Sequence, residues 1–128
     1  MTPQLYSMTA LLVVVVHLGF VVFVLAGGVL VYRWRWIPWF HVPAAAWAIF
    51  IELSGGICPL TPLENRLRTA AGLDDYSGDF VARYVFPILY PEGLTREAQI
   101  GVGLVVLVIN LVLYVAVYRQ RRTRIAAG

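Results

Sequence analysis

The sequence predicts an all-α integral membrane protein, a bundle of three transmembrane helices with an interfacial two-helix hairpin between the second and third. Three observations predict it. The 128 residues are 60% hydrophobic and 13% charged, and so small a domain cannot hide that much apolar surface, because its surface-to-volume ratio is too high. Apolar runs of spanning length, or close to it, fall at about 8–31, 39–57 and 96–118. The ten basic residues, all arginine, gather at the ends of those runs, so the net charge of +3 does not describe a nucleic-acid surface. A chain of this length is one folding unit, residues 1–128. Its single cysteine, Cys58, forbids an internal disulfide.

The first run, Met8–Val31, carries no charge and one histidine. At 1.5 Å per residue it is about 36 Å long, enough to span with some tilt. It lacks a basic leading segment and exceeds a signal-peptide core, so it is expected to stay as an anchor. YRWRWIPWF follows. Arg33 and Arg35 suit headgroups, and Trp34, Trp36 and Trp39 suit an interfacial belt. Pro38 separates this run from the second, in which Ala44, Ala45, Ala46 and Ala48 allow close helix approach. His41, Ala45, Ala48 and Glu52 share a face that must meet protein, because Glu52 in bare lipid would cost several kcal/mol.

Gly55 and Gly56 end the second run, and Thr61-Pro62-Leu63-Glu64 reads as a capping box opening a helix that stops at Gly72. Its apolar side is Leu63, Leu67, Ala70 and Ala71, opposed by Asn65, Arg66 and Arg68, which suits a helix lying in the interface with Thr61, Glu64, Arg66 and Arg68 as its polar residues. Asp74–Gly78 reads as a polar loop and Phe80–Leu89 as a second short segment, interfacial or re-entrant. Tyr90-Pro91-Glu92-Gly93 reads as a turn. Thr95 caps the third span, with Glu97 in its first turn. Gln99, Gly103, Asn110 and Tyr114 fall along one face of it, and RQRRTR closes it as a basic stop.

With three spans, Arg33, Arg35, Arg119, Arg121, Arg122 and Arg124 share one side, without an acid. The other side holds Arg66, Arg68, Arg83 and Arg96 among acids. Arginine bias then places the N-terminus and the 58–95 hairpin outside and the C-terminus in the cytoplasm.

Candidate chemistry is sparse. His17 lies about 21 Å from the inner end of its helix and Glu52 about 20 Å from the same side, a matched depth that suits a hydrogen-bonded pair. That pair reads either as packing glue or as a proton relay or cofactor contact. His41, just after the tryptophans, reads as an interfacial or interhelical polar residue about 19 Å below His17. Two histidines so far apart cannot both ligate one haem, whose axial nitrogens stand about 4 Å apart (cf.). Cys58 before Pro59 could serve a cofactor as a thiolate, but no second cysteine or metal-spaced histidine accompanies it, so no metal site is expected. Asn110 and Gln99 read as interhelical polar residues. No nucleophile with a base, phosphate loop or zinc motif is present, so no catalytic residue is expected.

HLGFVVFVLAGG, WFHVPAAAWAIFIELSGGICPLTPLENRLR, YSGDF and LYPEGLTREAQ, spread over His17–Gln99, together resemble the bacterial family catalogued as domain of unknown function 2784. The resemblance implies a small multi-spanning membrane protein and no particular reaction. The expected role is therefore non-enzymatic, an accessory or structural subunit of a larger membrane complex or homo-oligomer. The alternatives are a haem- or metal-binding redox protein using His17, Glu52 or Cys58, and an oligomeric proton or small-solute carrier with Glu52 titrating. The expected partners are lipid and other membrane subunits.

Overall fold

The computed structural model of the chain describes residues 2–74, 83–84 and 95–127. Those residues form four helices and no strand: α1 Pro3–Leu30, α2 Pro38–Ser54, α3 Leu60–Ala70 and α4 Arg96–Ala127. Phe80–Leu89 (apart from Arg83 and Tyr84), the Tyr90–Gly93 turn and most of the Asp74–Gly78 loop lie outside the described residues.

Each helix begins and ends for a local reason. The Thr2 hydroxyl accepts from the Leu5 amide at 3.3 Å and Pro3 takes the first position, where its missing N–H is harmless, so α1 starts well before Met8. Pro38 opens α2 in the same way. Gly55, at φ 76°, closes α2 in the left-handed conformation that a side chain would resist, and the Gly56 amide reaches back to the Ile51 carbonyl at 3.0 Å. Helix α2 therefore stops at Ser54, short of Ile57. The Thr95 hydroxyl accepts from the Ala98 amide at 3.1 Å to start α4. Helix α4 then continues past Tyr118 to Ala127, so the basic stop is itself helical.

The expectation of three spans is met in part. Two helices, α1 and α4, are long and apolar enough to cross a membrane, each with a mean hydropathy of 2.8 in its most apolar stretch. Helix α2 has 17 residues, about 25 Å against a hydrocarbon core of about 30 Å.

The core is arranged in layers along three packed helices. Val24 of α1, Ala45 of α2 and Val106 of α4 form one apolar cluster, and Val31, Ile37 and Val117 form another. These pairings make α1 and α4 parallel, with α2 antiparallel to both. Helix α3 packs on α1. The capping box expected there does not form: α3 starts at Leu60 with Pro59 at its cap, and the Thr61 hydroxyl, inside the first turn, has no hydrogen-bond partner among the described residues. Residue Gly72, at φ 77°, does stop the helix, and the Leu73 amide closes on the Arg68 carbonyl at 2.9 Å.

Candidate functional site

Polar side chains occupy the inside of this protein and large apolar ones its outside. His17, His41, Glu52, Thr61, Glu64, Gln99 and Asn110 are all buried. Leu11, Leu12, Val15, Phe50, Leu104, Val108 and Val112 are each more than 45% exposed. Helix α3 follows the same rule, burying Thr61 and Glu64 and leaving Leu63 exposed.

The inner polar group forms around His41. Its ring is fully buried. The α1–α2 turn is short and α4 runs on past it, so both neighbours cover the first turn of α2. Nε2–H donates to the Val24 carbonyl at 3.2 Å, and the Tyr114 hydroxyl donates to Nδ1 at 2.7 Å. A carbonyl only accepts, so its partner fixes the proton on Nε2 and leaves Nδ1 as the acceptor. Asn110 Nδ2 donates to the same Val24 carbonyl at 3.1 Å and to Val106 O at 2.8 Å. One carbonyl of α1 thus ties α2 and α4 together. The ring also stacks on Tyr114, with centroids 5.7 Å apart, and meets the Phe23 edge at 5.0 Å.

Close approach at this point needs glycine. A Cβ on Gly27 would stand 2.4 Å from His41 Cδ2, and one on Gly28 would stand 2.9 Å from Leu113 Cδ1. The adjacent glycines therefore serve different neighbours, Gly27 facing α2 and Gly28 facing α4.

The outer polar group lies a fixed step away. Seven positions, about two turns and about 10 Å of rise, separate Val24 from His17, Ala45 from Glu52 and Val106 from Gln99. All six residues are buried, so the packing register sets His17, Glu52 and Gln99 in one layer. Glu52 Cβ lies close to where a Cβ on Gly103 would stand, 3.2 Å away, so this residue packs directly on α4. Arg96 seals the layer. Its guanidinium lies against Gly55 and donates to the carbonyls of Glu52 (3.0 Å) and Leu53 and to Gln99 Oε1 at 3.3 Å. A cation thus sits at the negative end of α2 and occupies carbonyls the helix leaves unpaired. At the opposite end of the bundle, Arg121 donates to the Val31 carbonyl at 2.9 Å and closes α1 in the same way. Neither arginine was marked by the sequence for this task, since an arginine beside an apolar run reads first as a headgroup contact.

Removing the Arg96 clamp should destabilise the outer end of α2. Arg96→Ala is expected to cost about 1.5–3 kcal/mol, the range for hydrogen bonds to a charged group. Arg96→Lys should recover only part of that, because an ammonium lacks the planar fork. Faster amide exchange confined to Ile51–Gly56 would report the loss, and unchanged exchange there would contradict it.

Around α3, the Tyr84 hydroxyl donates to Glu64 Oε1 at 2.5 Å. Burial, then that bond and the nearby Glu64 charge, push the Tyr84 phenol above its ordinary pKa. Arg68 Nε donates to the Asp74 carbonyl at 2.9 Å, while Arg66 is exposed. Cys58 is a free, half-buried thiol in the α2–α3 turn.

Val24, whose carbonyl meets His41, lies about 10 Å of rise from His17, against about 4 Å between the two axial nitrogens of one haem iron (cf.). Both ring nitrogens of His41 are already engaged. Among the described residues, no three His, Cys, Asp or Glu side chains gather as a metal site would need.

Over residues 7–115 the chain matches the family described as Protein of Unknown function (DUF2784). No curated protein and no solved structure matches it.

Proposed function

The chain belongs to the DUF2784 family of proteins of unknown function, and from that premise we propose that it is a non-enzymatic accessory subunit in a bacterial inner membrane, where its three helices cross the bilayer. The observation that carries this reading is the inversion of the protein. Buried positions hold two histidines, two glutamates, a glutamine and an asparagine, while the outward faces of α1, α2 and α4 are leucine, valine and phenylalanine. Water would penalise that surface at about 25 cal/mol per Å². Lipid would not, and in lipid the polar groups must find partners inside.

The parallel course of α1 and α4 supports three crossings rather than two. Val24 and Val31 of α1 meet Asn110 and Arg121 of α4 in the same order. A chain that crosses twice in one direction must return between, and α2 is the antiparallel helix packed against both. Its length of about 25 Å suffices where flanking tryptophans and arginines adjust to a short span. The arginine count then supports an extracytoplasmic N-terminus and 58–95 segment.

A subunit role fits what the polar groups do. His41, Tyr114, Asn110 and Arg96 bind one another's helices or backbone carbonyls, the work of interhelical fastening. Exposed Gly19, with nothing within 4 Å of where its Cβ would stand, leaves room for a further helix on the lipid-facing side. Alkaline-washed membranes should retain the protein, and gentle detergent extraction should give an assembly well above 14.3 kDa. Recovery in the aqueous fraction would overturn the membrane reading, and a monodisperse single chain would overturn the subunit reading.

A further inference from the structure

Outside the polar groups, α4 carries a second feature. Leu111, Val112, Val115, Ala116 and Arg119 line an open groove of about 400 Å³. Its lining is almost wholly hydrocarbon, with Arg119 as its one charged side chain. Arg119, an exposed residue, stands at one end.

The level of that end is fixed by packing. Val117 meets Val31 and Ile37 at the α1–α2 turn, and Arg119 lies half a helical turn further along. Arg33, Trp34, Arg35 and Trp36 are exposed on the same turn, and Arg122 and Arg124 are exposed on α4 beyond it. Among the described residues the acids are Glu52, Glu64, Asp74 and Glu97, and none of these four lies on the α1–α2 turn or on α4 beyond Val117. A groove of hydrocarbon ending at exposed Arg119, on the level of other exposed arginines, is complementary to one kind of molecule, an acyl chain bearing an anionic phosphate.

We propose that the Leu111–Arg119 groove of α4 is a binding site for an anionic phospholipid, with an acyl chain along Leu111, Val112, Val115 and Ala116 and its phosphate on Arg119. The site rests on the membrane reading above. Arg119 is free for this role in a way Arg121 is not, because Arg121 is turned inward onto the Val31 carbonyl. Guanidinium and phosphate pair through a planar fork and two oxygens.

Native mass spectrometry of the full chain, released from mild detergent with equal amounts of dioleoyl phosphatidylglycerol and dioleoyl phosphatidylcholine, tests the site. One phosphatidylglycerol should be retained in preference to phosphatidylcholine by about fivefold, the worth of one basic residue at an anionic surface. Arg119→Gln should abolish the preference and Arg124→Gln should leave it. Ala116→Leu, which fills the groove, should lower retention of the lipid while helical circular dichroism stays unchanged. Equal retention of the two lipids would overturn the proposal, as would equal losses from Arg119→Gln and Arg124→Gln, which would assign the preference to diffuse charge. A lipid-free dimer would overturn it in favour of a second copy on this face. Retention in alkaline-washed membranes, measured on the same preparation, separates failure of this site from failure of the membrane reading.

Discussion

Changing His41 to alanine is expected to destabilise the protein by about 3–5 kcal/mol, more than any other single truncation in the bundle. The packing part is the larger: a fully buried ring is removed from between Phe23 and Tyr114, and large-to-alanine changes in cores cost about 2–5 kcal/mol. The polar part adds to it, because the Tyr114 hydroxyl loses its acceptor at 2.7 Å and the Val24 carbonyl loses a donor. Hydrogen bonds between membrane helices average only about 0.6 kcal/mol, so that share stays modest. His41→Phe separates the two parts, since it keeps most of the volume and discards both bonds. Its expected cost is about 1–2 kcal/mol. Reversible unfolding in mixed micelles, followed by circular dichroism, gives both values. A loss below about 1 kcal/mol for the alanine variant would mean the ring is not the keystone that its contacts make it.

Gly27→Ala should be destabilising by about 1–3 kcal/mol, although alanine is the better helix former by about 1 kcal/mol. The added methyl would arrive 2.4 Å from His41 Cδ2 and 3.0 Å from Phe23 Cδ2. His41 cannot swing away without releasing Val24 and Tyr114. Gly28→Ala should cost less, because its shortest approach is to Leu113 Cδ1 at 2.9 Å and to Leu113 Cβ at 3.1 Å, both longer than the 2.4 Å to the anchored His41 ring. Combining Gly27→Ala with His41→Ala should then cost less than the two single changes together, since each makes room for the other. The same unfolding assay measures the cycle. Additive costs would show that Gly27 and His41 do not meet as described.

The chain's own pattern carried the class of the fold a long way. Proline and glycine mark helix ends by fixing or freeing φ, so Pro38, Gly55 and Gly72 punctuate the structure where their chemistry requires. Thr61 is the instructive miss. Threonine, proline and glutamate at capping-box spacing describe a local preference, but α3 packs on α1 with Thr61 and Glu64 buried, and that burial outweighs one cap bond. For His41 the partners were hidden from any local pattern, because the groups that bond its ring lie 17 and 73 positions away, on α1 and α4.

Sequence alone determined that apolar segments dominate, where each helix turns or stops, and which residues are too polar to face lipid, because these follow from side-chain chemistry and backbone freedom at single positions. Tertiary structure decided which partners those polar residues take. Whether one Val24 carbonyl serves both His41 and Asn110, whether Arg96 and Arg121 close the ends of other helices, and which of two adjacent glycines meets a ring all depend on the rotation and register of helices against one another. Those quantities are set by contacts between residues dozens of positions apart, which no local pattern encodes.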